Sequence, residues 1–218
     1  MASNLDEFEL IEHYFAPLTS SEPGAFGLTD DAAALAITPG KHAVVTTDAI
    51  ISGVHFPANE EPRIIASRLV RVNLSDLAAK GAKPRAYTLV LALPGTTEPE
   101  WIAAFANGLA DEQKRFGITL IGGDTTRSDG VLMLSLTMIG EISEGSMILR
   151  SGACAGDDIY VSGTIGDAEL GRALLEDRFS TSNEDDRTYL IDRFRVPNPR
   201  VEVGAVLVGL ASAAADIS

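Results

Sequence analysis

At 218 residues, with 45% hydrophobic and 22% charged side chains, the chain can bury one large core or two smaller ones, and its composition excludes disorder. A net charge of −14 argues against non-specific nucleic-acid binding, because a phosphate backbone would be repelled; nucleotides stay open wherever metal ions stand between carboxylate and phosphate. Cys154 is the only cysteine, the start of the chain lacks a signal-peptide pattern, and no apolar run approaches the about 20 residues of a membrane span, so a cytoplasmic location without disulfides is expected.

Along the chain, Phe8, Ile11 and Phe15 at helical spacing predict a short amphipathic helix over Asp6 to Phe15, and Pro17 to Thr29 reads as loop. Ala43 to Thr47 is a β-branched run expected to stop at Asp48. A long helix is expected from Pro62 to Gly81, with Pro84 forbidding continuation. Tyr87 to Leu93 predicts a strand. Glu98 to Phe116 predicts a helix with Trp101, Phe105 and Leu109 on one face, and Ile118 to Ile121 and Val131 to Gly140 predict two further strands. From Met147 to Gly156 the signal changes to a Gly- and Ser-rich loop. A strand at Asp158 to Val161, a turn at Gly163 to Gly166 and a helix are expected after it. Ser180 to Asp186 reads as an exposed acidic loop, and Val201 to Ala215 as an apolar helix that should pack against something beyond Ser218, so the chain is expected to be C-terminally truncated. Strands interleaved with long helices indicate α/β or α+β, with a boundary separating 1–147 from 148–218.

Four acidic positions carry the chemical interest. Asp31 follows Asp30 and opens the apolar run Ala32 to Ile37; Asp48 closes a strand. Asp76 continues the seam of Ile65, Leu69 and Val72, where an unpaired acid costs desolvation, and Asp124 follows Gly122-Gly123, glycines that let a ligand approach the backbone. Each has a plain structural alternative: a helix cap for the Asp30 pair, a turn for Asp48 or Asp124, a solvent-facing position for Asp76. Together they form a set of hard oxygen ligands suited to Mg²⁺, whereas His13, His42 and His55 are not spaced for zinc. No P-loop, protein-kinase or G-x-S-x-G signature is present, and Ser162 to Ala168 could equally cradle a phosphate or make a tight turn.

The segments Gly27 to Ala33, Thr46-Thr47-Asp48, Gly53 to Phe56, Val72-Asn-Leu-Ser-Asp-Leu-Ala-Ala79, Leu120-Ile-Gly-Gly-Asp-Thr-Thr-Arg127, Leu149 to Gly152, Gly156 to Gly163 and Ala215 to Ser218 resemble, in this order, the thiamine-monophosphate kinases. These enzymes belong to the wider aminoimidazole ribonucleotide synthetase (PurM-like) superfamily. The resemblance implies an α+β fold: an N-terminal domain whose sheet pairs with its twin in a homodimer, then the beginning of a second α/β domain. By motif position it implies that Asp31, Thr46, Thr47, Asp48, Asp76, Asp124 and Asp216 bind magnesium. It likewise implies that Gly123, Asp124, Arg150 and Ser218 contact ATP and that His55 contacts the phosphorylated substrate. Two departures stand out: Thr29 replaces the usual glycine before the Asp pair, and the chain stops at Ser218, before the next aspartate and the residues that hold the thiamine rings.

The implied reaction is direct transfer of ATP's γ-phosphoryl group to thiamine monophosphate. The acceptor is an already ionised phosphate, so alignment and charge neutralisation are required rather than a general base. The alternatives are a sibling ATP-dependent enzyme of the superfamily and a truncated, non-catalytic Mg-ATP-binding fragment.

Overall fold

The structure, a computed structural model, describes residues 7–217. Its scaffold is a four-stranded mixed sheet of β1 (Lys41–Ile51), β2 (Lys83–Pro94), β3 (Thr119–Ser128) and β4 (Met133–Ser143), in the spatial order β1-β4-β2-β3. The helices are α1 (Glu7–Leu10), α2 (Pro62–Lys80), α3 (Pro99–Phe116), α4 (Asp167–Leu175), α5 (Glu184–Arg195) and α6 (Val201–Leu207). β4 runs antiparallel to β1 and β2, while β2 and β3 are parallel, a pairing that needs a crossover, which α3 supplies. The α+β class expected from the sequence is the one observed.

Strand alternation decides which side of the sheet is dry. On β4, Leu134, Leu136 and Met138 point to one face and share a core with Tyr87, Leu89 and Leu91 of β2 and with Phe105 and Leu109 of α3. α2 lies across β1, β4 and β2 with α3 and α6 beside it, which is why residues around most of its circumference are buried. Pro62 at its first turn and Gly81 in the left-handed conformation (φ 72°) bracket it, as the sequence predicts. Arg71 of α2 and Glu112 of α3 form a buried two-pronged ion pair at 2.9 and 2.8 Å, so neither charge is left alone in the core.

Several elements differ from expectation. Part of the first predicted helix, Asp6, lies outside the described residues. After α1 the chain widens into a π turn (Ile11–Phe15) and tightens into 3₁₀ turns (Ala16–Thr19 and Pro23–Leu28), because Pro17 cannot continue an α-helix; Phe15 turns inward while Phe8 is 80% exposed. β1 runs past Asp48 to Ile51 and β3 past Gly122-Gly123 to Ser128, so neither aspartate ends a strand. Both strands are sheet edges, where polar side chains reach solvent cheaply. Glu184 to Asp186 are the first turn of α5, capped by Asn183, whose Oδ1 accepts from the N–H groups of Asp185 and Asp186. Asp158 to Val161 forms no strand: nothing among the described residues pairs with it, and Ile159 and Tyr160 are almost wholly exposed. α6 stops at Leu207, with Gly209 in the left-handed region (φ 78°), well short of Ala215.

Candidate functional site

The alternation of β1 turns Thr46 and Asp48 toward α2 and Thr47 to the opposite face, where its hydroxyl meets that of Thr137 at 2.8 Å. Facing β1 from α2, Asp76 accepts a hydrogen bond from Thr46 Oγ1 at 2.5 Å. One turn earlier on α2, Asn73 is fully buried and joins the two elements. Its Oδ1 accepts the Asp48 N–H at 3.2 Å, and its Nδ2 donates to Leu69 O at 2.9 Å. Asn73 thereby fixes the position of Asp48 relative to Asp76.

Asp216 comes to the same place from beyond α6, with Arg150 Nη2 3.5 Å from its Oδ1. Burial, then the neighbouring charges of Asp76 and Asp216, push the Asp48 carboxyl above its ordinary value, and His55 opposes them. Burial and Asp76 likewise push Asp216 up, against Arg150. These are like charges gathered where each disfavours the others. His55 sits exposed on a tight turn made possible by Gly53 (φ 76°) and anchored by buried Phe56. Its Nδ1 accepts the Ile51 N–H at 3.1 Å, which leaves Nε2 facing outward.

Asp31 and Asp124 form a second group. Both are exposed and, with Asp30 and Gly123, line a pocket of about 300 Å³ at the β3 edge of the sheet. Asp30 and Asp31 cap no helix; Asp30 Oδ1 accepts the Asp31 N–H at 2.8 Å, and Ala32 to Ile37 continue as irregular chain. The seven residues expected to bind metal thus divide into Thr46, Asp48, Asp76 and Asp216 at one place and Asp31 and Asp124 at another, with the Thr47 side chain turned away from the first. Among the described residues, no three His, Cys, Asp or Glu side chains are placed to hold a metal ion by themselves. Ser218, expected at the nucleotide, lies outside the described residues. The sequence reading passed over Asn73 and Lys80. The available signal was spacing, since they stand three before and four after Asp76 on the same helix.

Residues 29–142, just over half of the chain, match the family described as AIR synthase related protein, N-terminal domain. The chain belongs to this family. This AIR synthase related chain is 43% identical over 212 residues to the thiamine-monophosphate kinase of Caulobacter vibrioides, covering 97% of itself and 59% of that protein. It is 43% identical over 213 residues to that of Salmonella typhimurium, with coverage of 97% and 65%. Among solved structures, the thiamine-monophosphate kinase from Stenotrophomonas maltophilia aligns with a TM-score of 0.75 at 41% identity, over 85% of this chain and 59% of the other. A structure described as AaThiL complexed with AMPPCP and TMP aligns with a TM-score of 0.74 at 28% identity, over 88% and 65%. The chain therefore spans between 59% and 65% of the length of these relatives. No helix among the described residues is long and apolar enough to cross a membrane.

Proposed function

We propose that this chain carries the ATP- and magnesium-handling part of a thiamine-monophosphate kinase, transferring ATP's γ-phosphoryl group to the phosphate of thiamine monophosphate. The observation that carries the reading is the convergence of Thr46, Asp48, Asp76 and Asp216, from a strand, a helix and a distant segment, on one mutually repelling cluster of hard oxygen donors. A core gains nothing from such a cluster, whereas a divalent cation relieves it. Mg²⁺ accepts one or two carboxylates and completes its shell with water and phosphate oxygens, which suits a site lacking a ready-made three-ligand cage. When bound, the metal supplies neutralisation of the two phosphate groups as they approach.

In this reading the side chains of Thr46, Asp48, Asp76 and Asp216 hold metal at one end, Thr47 contributes through its backbone, and Asp31 and Asp124 serve from the pocket at the β3 edge. Gly123, Asp124 and Arg150, together with Ser218, meet ATP; Arg150, largely exposed at 72%, adds a fixed positive charge. His55 turns Nε2 toward the acceptor phosphate. That phosphate is ionised near neutrality, so these residues orient and neutralise rather than remove a proton. The same reading makes residues 1–147 the nucleotide-binding, dimerising domain and 148–218 the start of a second one, in a cytoplasmic homodimer.

Replacing Asp76 by Asn keeps the Thr46 contact but removes a charge from the cluster. Calorimetry should then show magnesium-dependent ATP binding weakened by about 100-fold. Wild-type magnesium dependence in Asp76→Asn would sink the metal-site reading. A second reading, binding without turnover, is favoured by the bare apolar strip at Ile159 and Tyr160. Assaying thiamine monophosphate phosphorylation with this chain, and with one extended by a relative's remaining residues, separates the two.

A further inference from the structure

Where the C-terminal end of α2 meets α6, the backbones nearly touch. A Cβ on Gly204 would stand 2.0 Å from Ala78 O, and one on Gly81 would stand 2.4 Å from Val208 Cγ2. Beyond α6, residues 211–217 have no regular structure. Ser212 Oγ donates to Asp157 Oδ2 at 2.6 Å and Ala214 N–H to Leu149 O at 3.2 Å, partners that flank the short 3₁₀ turn Arg150–Gly152. From α2, Lys80 Nζ donates to Ala214 O at 2.8 Å and the Asp76 side chain shares a hydrogen bond with Asp216, while Leu207 O at the end of α6 accepts from the N–H groups of Leu210 and Ala211.

We infer that Lys80 is a positioning residue: its ammonium ties the carbonyl two residues before Asp216 to the last turn of α2 and so sets where Asp216 stands relative to Asp76 and Asp48. The inference rests on the metal-site reading above. Lys80 lies four residues after Asp76, on the same side of the helix one turn on. Burial and then Arg150 push its ammonium below the ordinary lysine value, and Asp216 and Asp76, within electrostatic reach, oppose them. A charge-assisted bond to a carbonyl is stronger than a neutral one, and here it acts on a segment without regular structure.

Electrostatics alone and positioning predict opposite effects on metal affinity. Removing a cation from beside the carboxylates should, by charge alone, tighten magnesium binding. Removing a tether should loosen it. The test compares the wild-type chain with Lys80→Met, which keeps the side-chain length, and Lys80→Arg, which keeps charge and donor. It uses hydrogen exchange of the backbone amides of residues 211–217 and calorimetric titration with magnesium chloride alone. In Lys80→Met, exchange should speed up by about 10-fold and the magnesium Kd rise by about 10-fold, with both returning toward wild type in Lys80→Arg. Unchanged exchange in Lys80→Met overturns the tether, and faster exchange with unchanged or tighter magnesium binding overturns its positioning role. Absence of magnesium binding by the wild-type chain overturns the underlying metal reading, and the exchange data distinguish that from a failure of Lys80 itself.

Discussion

At the scale of single residues, two half-buried carboxylates contrast with a buried one. Asp48 and Asp216 are surrounded by other acids, and their protons are held more tightly than usual. Glu141, only 3% exposed, is surrounded by donors. It accepts from the Thr38 N–H at 3.1 Å and the Thr38 hydroxyl at 2.8 Å, pairs with Arg85, and has Lys41 at 3.6 Å. Burial pushes its carboxyl up, but the Thr38 and Arg85 bonds prevail and hold it below the ordinary value of 4.5. In acid the folded chain then binds fewer protons than the unfolded chain. Glu141 therefore contributes stability that is fully present above 4.5 and is lost as pH falls toward its folded value. Glu141→Gln should lower the melting temperature at about pH 7, and its gap from wild type should narrow as pH approaches about 3. A gap of constant size across that range would contradict the assignment. Asp48 and Asp76 drew notice in the sequence because acids beside apolar runs need a reason, whereas Asp216 was reached only through the resemblance carried by Ala215 to Ser218. Asn73 and Lys80 offered only their spacing from Asp76, a signal that takes on meaning once the partner each side chain reaches is known.

Among the elements, long periodic segments were readable and strand ends were not. α2 and α3 carry their own stop signals in Pro62, Gly81, Pro99 and Gly117, so sequence and structure agree on them closely. β1 and β3 continue past Asp48 and Asp124 because pairing with β4 and β2, absent from any local pattern, satisfies their backbones. The two glycines of β3 also turn out to be unequal. Near Gly122 a Cβ would meet only Thr88 Cγ2, at 3.9 Å. At Gly123 it would lie 1.9 Å from Leu89 O, on the neighbouring strand β2. A register shift between Tyr87 and Thr88 leaves Ile121 as the extra residue, just before these close backbones and Asp124. Gly123→Ala should therefore cost about 1–3 kcal/mol in urea unfolding, while Gly122→Ala should be close to neutral. Equal effects would mean that the glycines serve ligand approach rather than strand packing.

For the whole molecule, the sheet has one face under α2 and α3 and another that is incompletely covered. On that second face, paired residues of three strands present small or apolar side chains: Val45, Thr47 and Ala49 of β1, Ser135, Thr137 and Ile139 of β4, and Thr88, Val90 and Ala92 of β2. Ala25 and Leu35 pack over only one end of it, around Ala86, Ile121 and Ile139, and Val45 is left 60% exposed. A face with so little charge on its central strands is poorly matched to water and well matched to a second copy of itself, since a two-fold axis sets the same patch against its equivalent. Val45 lies toward the exposed edge, so an aspartate there would be solvated in the monomer and leave folding intact. In the proposed homodimer the same aspartate would be drawn out of water against the partner's apolar face, at a cost that weakens association roughly 100-fold. Sedimentation equilibrium at micromolar concentration should find the wild-type chain dimeric and Val45→Asp monomeric, with identical melting behaviour once the dimer term is removed by dilution. A wild-type monomer, or a Val45→Asp dimer of undiminished affinity, would place the partner surface elsewhere on the molecule.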